Sequence, residues 1–216
     1  MPEPEDFSRA AQTRARLLDA AVTAFAERGF HGTSTRDIAS AAGMSPAAVY
    51  VHHRSKEELL YQISSTGHAM IAEVVRNALA STDDPVDQLR AVVRDFVAHH
   101  ARRHTSARVV NYELASLGPE HREEILAERR EIDAAVRGVI ERGAAAGAFD
   151  VTSARMAAVA VLSLGIDAAR WYREDGDWSP EEIGDFYADL VLRMVAATPS
   201  TDHADGSSAD SRRSAK

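Results

Sequence analysis

The sequence predicts an all-α protein, and three observations carry that reading. Apolar residues recur at three- and four-residue spacing along most of the chain, while few β-branched runs alternate with period two. Glycine and proline are scarce, at 12 and 7 of 216 residues, and alanine is abundant. Helix-start signatures, in which Ser or Asp is followed at short range by Pro or an acidic residue, stand ahead of the periodic segments. Together these predict about nine helices, arranged as a small three-helix N-terminal domain with a helix-turn-helix and a larger helical body.

The elements follow in order. Residues 1–7 read as a disordered acidic leader, and Leu17, Leu18, Ala21, Val22 and Phe25 place a first helix over 8–28. Gly29 ends it, and Phe30 folds back with Phe25 onto a core. Ser34 and Asp37 form an S-x-x-D capping box that starts a second helix near Thr35, with Ile38, Ala39 and Ala42 on one face. Gly43 stops that helix, because glycine adopts the left-handed conformation of a C-cap at no steric cost. Ser45 then caps a third helix with Pro46 in its first turn, where a missing N–H costs nothing.

Ser55 and Glu58 form a further box, opening a long helix over 56–79 that links the two domains. Asp84-Pro85 opens a helix to about residue 104, another covers 107–117, and one runs over 120–145. Ser153 begins the most apolar helix, to about 174, too apolar all round for a surface helix. Ser179-Pro180-Glu181-Glu182 caps a last helix with Ile183, Phe186, Tyr187, Leu190, Val191 and Met194. The predicted divisions are a domain over 8–55, a body over 56–197 and a disordered Ser/Asp/Ala/Arg tail over 198–216.

Composition narrows the function. There are no cysteines, which removes disulfides and thiolate chemistry, and no apolar run approaches a membrane span or a signal peptide, so a cytoplasmic protein without membrane contact is expected. The net charge is −8, and residues 1–60 hold seven Lys/Arg against eight Asp/Glu. Any nucleic-acid contact must therefore come from cations gathered on one face, among Arg9, Arg14, Arg16, Arg36, Arg54 and Lys56. No nucleophile elbow, P-loop or dinucleotide fingerprint occurs, so no catalytic residue and no cofactor is expected. His100 and His104 have zincin spacing, but Ala101 stands where that motif needs Glu, and no metal site is expected.

Two short helices joined across Gly43-Met44-Ser45 make a helix-turn-helix, which places its second helix in the DNA major groove. The string Thr33-x-x-Arg36-Asp37-Ile38-Ala39, Gly43-Met44-Ser45, Val49-Tyr50-x-His52 and Ser55-Lys56-Glu57-x-Leu59 resembles the TetR family of bacterial transcriptional regulators over residues 10–60. His53 and Val49 depart from it, standing where the family commonly has Phe and often Leu. The resemblance implies a homodimeric repressor that binds a palindromic double-stranded operator and is released by a small-molecule effector bound in the C-terminal body.

By the same resemblance, Thr33, Thr35, Arg36, Ser45, Pro46, Ala47, Ala48, Tyr50, His52 and Lys56 are the DNA-facing positions. Arg36 is suited to guanine O6 and N7. Pro46, Ala47 and Ala48 offer only methyl-type contacts, and Tyr50, His52 and Lys56 match phosphate positions. The last two helices are the expected dimer interface, as a four-helix bundle across a two-fold. Asn111-Tyr112-Glu113-Leu114 and Arg170-Trp171-Tyr172-Arg173 are similar to an acyl-CoA-responsive subgroup linked to lipid or sterol degradation. Asn111, Tyr112 and Arg170 are accordingly expected as polar ligand anchors and Trp171 as an apolar wall. A multidrug-type hydrophobic effector, or no effector, is the alternative.

Overall fold

The structure, a computed structural model, describes the backbone of residues 4–195 and the side chains of residues 12–51 and 53–195. Among the described residues there are nine α-helices and no strand: α1 (Pro4–Arg28), α2 (Thr35–Ala41), α3 (Pro46–His52), α4 (Lys56–Ala80), α5 (Pro85–Arg102), α6 (His104–Tyr112), α7 (Pro119–Ala145), α8 (Ala154–Trp171) and α9 (Pro180–Val195). Helix α1 already includes Pro4–Phe7, which corrects the expected leader over 1–7. Proline at the first helical position, followed by Glu5 and Asp6 near the positive end of the helix dipole, favours this start. Residues 1–3 and the tail expected over 198–216 lie outside the described residues.

The helix starts follow the local chemistry closely. Ser34 and Asp37 form the complete capping box, and the Ser45 hydroxyl accepts from the Ala48 amide at 3.3 Å. After α2, Gly43 sits at φ 67°. The Gly43 and Met44 amides bond back to the carbonyls of Ser40 at 3.0 Å and Ala39 at 2.8 Å, a Schellman turn. Ser179 and Glu182 complete a second reciprocal box. Only half of the box expected at Ser55 forms. Its hydroxyl accepts from the Glu58 amide at 3.0 Å, but the Glu58 carboxylate takes the Arg54 amide at 2.7 Å instead. Between α5 and α7 the chain turns earlier than the periodicity predicts: α5 ends at Arg102, and α6 is followed by a 3₁₀ turn at Leu114–Ser116.

Two hydrophobic cores result. The larger surrounds α5, with Val92, Val93, Phe96 and Val97 packed among Val136 and Val139 of α7, Val161 of α8 and Val191 of α9. The smaller joins Leu17, Ala21 and Phe25 of α1 and Ile38 of α2 to Leu59, Leu60 and Ile63 of α4. It also includes Val109 and Val110 of α6, Leu117 after the 3₁₀ turn, and Ile125 of α7. The N-terminal helices therefore close their core against the body rather than by themselves, so packing does not divide cleanly at residue 55.

Helix α8 departs from its expected full burial. It buries a narrow face of Ala158, Val161, Gly165, Ala168 and Ala169 and leaves Met156, Val159 and Trp171 exposed. Phe186 and Met194 of α9 and the preceding Trp178 are likewise exposed.

Candidate DNA-binding face and effector cavity

The helix-turn-helix presents a small, weakly charged face. Arg36, Ser45, Pro46, Ala47 and Tyr50 are exposed, and Thr35 and Ala48 half-buried. The Thr35 hydroxyl lies 3.2 Å from the Tyr50 hydroxyl, tying the start of α2 to α3. Val51 is 79 % exposed on α3. An exposed β-branched residue on a seven-residue helix has no packing reason to be there, and a thymine methyl would complement it. Sequence reasoning overlooked Val51 because it had no polar chemistry to attract attention. The side chain of His52 lies outside the described residues.

Two of the expected DNA-facing residues make hydrogen bonds within the fold. Thr33 is 2 % exposed, and its hydroxyl donates to the carbonyls of Ala24 at 3.0 Å and Gly29 at 2.9 Å. That hydroxyl closes the end of α1. Lys56 Nζ donates to the carbonyls of Phe30 at 2.6 Å and Thr33 at 2.8 Å and lies 4.1 Å from the centre of the Phe30 ring. The ammonium thus gathers the turn between α1 and α2 onto the first residue of α4. Of the other cations expected on this face, Arg16 is committed to the Ala42 carbonyl at 2.7 Å.

Carboxylates attach this unit to the body. Glu113, just after α6, accepts from the Phe30 amide at 3.1 Å. Glu57 accepts from the Gly118 amide at 2.8 Å and faces His121 at 3.0 Å. His121 stacks on Tyr61 with ring centres 3.9 Å apart, and the Tyr61 hydroxyl donates to Glu124, which pushes that phenol up to about 12.

Above this junction lies a cavity of about 230 Å³ bounded by α4, α5, α6, α7 and α8. Phe96, Val110, Val159, Leu162 and Ile166 give it apolar walls, and His68, His100, Asn111, Arg129, Asp133 and Ser163 supply its polar groups. A second chamber of about 250 Å³ shares Gly67, His100, Val110 and Asn111 with it and reaches Leu18, Asp19 and Val22 of α1. Gly67 keeps α4 and α6 close: a Cβ there would stand 2.9 Å from Val110 Cγ2. His100 is 3 % exposed, and burial, above all, drags its imidazole down to about 4. Burial also lowers His68 and His99, and it lowers the Arg129 guanidinium.

Of the four expected ligand residues, Asn111 alone lines this cavity. Tyr112 is exposed one helical step further round α6. Arg170 is an exposed side chain paired with Asp167 at 2.6 Å. Trp171 belongs to a separate hollow of about 540 Å³ with Trp178, Ile183, Phe186 and Tyr187 on the outer face of α8 and α9. Residues 100° apart on a helix point to different surroundings, so neighbours in sequence do not make one site. His68, Phe96 and Arg129 were missed because each reads as ordinary helix content in isolation. Among the described residues no group of three or more His, Asp or Glu is placed to hold a metal, and no helix is long and apolar enough to cross a membrane.

Comparison with known proteins decides the family. Residues 17–63 match the family described as bacterial regulatory proteins, tetR family, and residues 82–195 match the tetracyclin repressor-like C-terminal domain. The chain belongs to the TetR family. It is 30 % identical over 199 residues to the HTH-type transcriptional repressor KstR2 of Rhodococcus jostii, covering 91 % of this chain and 97 % of that one. The crystal structure of a tetR-family regulatory protein from Rhodococcus RHA1 superposes with a TM-score of 0.81 at 40 % identity, covering 86 % and 98 % of the two chains. AibR, solved with isovaleryl coenzyme A and operator DNA, superposes with a TM-score of 0.77 at 25 % identity, over 83 % and 98 %. The family is one of DNA-binding transcriptional regulators, not enzymes, and dimerisation and ligand binding are typical of it.

The two basic side chains have separable consequences. Lys56→Met removes two charge-assisted hydrogen bonds and should cost about 2–4 kcal/mol in urea unfolding of the DNA-free protein. Arg36→Ala should leave stability within about 0.5 kcal/mol and instead relax operator preference by roughly 1–3 kcal/mol. Matched urea melts and binding isotherms on specific and scrambled duplexes separate the two roles.

His100 gives stability a pH dependence of definite sign. Its folded value of about 4 lies below the ordinary 6.5, so the unfolded chain binds the extra proton between those limits and stability falls as pH drops from 6.5 to 4. His100→Phe should reduce the slope of unfolding free energy in this window by up to one proton, measured by urea melts at half-unit pH steps.

Proposed function

We propose that the protein is a cytoplasmic homodimeric repressor that holds a palindromic operator and is released from it by a small-molecule effector, an acyl-CoA thioester of lipid or sterol catabolism. The observation that carries this reading is the pair of neighbouring chambers that share Gly67, His100, Val110 and Asn111: one lies within the body, and the other reaches α1 of the helix-turn-helix unit. A ligand seated there touches α4 directly, and the Lys56 contacts make the turn before α2 follow the start of α4. A shift of α4 against α6 is thereby transmitted to the recognition helix as a rigid-body displacement.

The dimer is formed through α8 and α9. Met156, Trp171, Trp178, Phe186 and Met194 are exposed along these helices and their connection. An apolar face of this kind is expected to be covered by a partner. In the dimer, Arg170 and Trp171 border that seam rather than the chamber within the body of one protomer. The thioester class is supported by AibR, whose structure holds isovaleryl coenzyme A together with operator DNA, and repression by the likeness to the repressor KstR2.

On DNA, Arg36 is the base-reading side chain, helped by Tyr50, by Val51 and by the sequence-dependent shape of the duplex. Two-fold symmetry then sets half-sites about 34 Å apart or a multiple of that spacing. Linkage requires the effector to bind the operator complex more weakly than the free protein, by the factor with which it weakens DNA binding.

A duplex selected from a random library supplies the operator, and a panel of acyl-CoA thioesters is titrated into the preformed complex. At least one member should displace the DNA at concentrations near its own Kd for the free protein. If none does so, the thioester assignment fails. A footprint without two-fold symmetry contradicts the palindromic dimer.

A further inference from the structure

We propose that the chamber within the body is selective for a carboxylate at one end of an apolar ligand, with Arg129 as the group that receives it. This deepens the effector reading above and rests on the chamber being the effector site.

Arg129 projects from α7 into the chamber, and its Nε donates to His68 Nε2 at 3.0 Å. One Nη2 donates to Asn111 Oδ1 at 3.0 Å and to the Val110 carbonyl at 3.3 Å. Every one of these acceptors is neutral. His68 is held in a neutral tautomer by its two neighbours: Nδ1 faces the Ser64 carbonyl at 2.8 Å and must carry the proton, so Nε2 is left to accept. His100 Nδ1 likewise faces the Phe96 carbonyl at 2.8 Å, and burial keeps that ring uncharged near neutrality.

Among the described residues no carboxylate forms an ion pair with Arg129. Asp133, one turn along α7, also lines the chamber but does not bond it. The chamber therefore contains a guanidinium that keeps its charge at any physiological pH and is hydrogen-bonded to neutral acceptors, with Asp133 also on the lining. A half-buried cation that forms no ion pair among the described residues gains from an anion that joins it. Nη1 donates to none of the described residues, so part of the guanidinium fork remains for a ligand. A carboxylate suits that fork in shape and charge. Asn111 fixes the guanidinium from the side, while Phe96, Val159, Leu162 and Ile166 offer apolar surface to the rest of the ligand.

Two sources offer this chemistry, a free acid and a thioester whose acyl chain ends in a second acid group. Isothermal titration of the full-length protein distinguishes them. Hexanoate is compared with hexanamide, and adipoyl-CoA with hexanoyl-CoA. The carboxylate member of at least one pair should bind tenfold or more tightly than its uncharged counterpart. Preference in the first pair identifies a free acid, and preference confined to the second identifies a carboxy-tipped thioester. Arg129→Met should abolish the preference, and Arg129→Lys should retain part of it. Ile166→Trp, which fills the chamber from α8, should abolish binding of both members. Should Arg129→Met fail to fold, the wild-type ratios and the lysine variant still decide.

Equal binding within both pairs, absence of binding by all four probes, or an undiminished preference in Arg129→Met overturns the proposal. Operator binding and its release by other thioesters are scored in parallel on the same proteins. If plain acyl thioesters release DNA while no carboxylate preference exists, the carboxylate clamp fails and the repressor reading stands.

Discussion

Helix α4 belongs to two cores, and the position of everything else follows from that. Leu59, Leu60 and Ile63 at its start pack with α1, α2, α6 and the beginning of α7, while Ile71, Val75 and Ala78 further along pack around α5. At its first turn Lys56 holds the carbonyls of Phe30 and Thr33, and Glu57 holds the amide ahead of α7. The helix-turn-helix is therefore a unit whose interior is partly supplied by the body. A seven-residue recognition helix has little stability of its own, and here it is positioned by contacts that an effector chamber can disturb.

Charge is used sparingly and locally. The chain is acidic as a whole, and the DNA-facing surface offers few free cations because Lys56 and Arg16 are bound to backbone carbonyls. Such a face binds non-specific DNA weakly, since that mode depends on the number of phosphates neutralised. In the function proposed above, selectivity depends on Arg36, on small apolar contacts and on DNA shape. The same economy holds inside the body. Arg129 brings one charge into the chamber and is braced by neutral groups, an arrangement that keeps it available to a ligand rather than to a partner carboxylate.

Helix starts were legible in the sequence because they depend on residues within one turn: Ser34 with Asp37, Ser45 with Pro46, Asp84 with Pro85 and Ser179 with Glu182 all act as read. Glu58 shows the limit, since its carboxylate had a choice of two adjacent amides and took that of Arg54. The DNA-facing surface was legible through the resemblance, but Thr33 and Lys56 have the same composition whether they face phosphate or a neighbouring carbonyl. Only the fold of the α1–α2 turn decides between them. The cavity was least legible. His68, Phe96, Asn111 and Arg129 come from four helices, and which faces meet depends on helix packing that no local signal encodes.

The central claim, that the DNA-binding helices share a core with the body, is tested most directly by native-state hydrogen exchange in the absence of DNA. Amides of Leu17 to Phe25 in α1 and of Val109 and Val110 in α6 should open with one free energy and one denaturant dependence, as a single cooperative unit. Opening of α1 to α3 while α6 retains the protection of α5 would show instead an independent domain resting on the body, and would contradict the account.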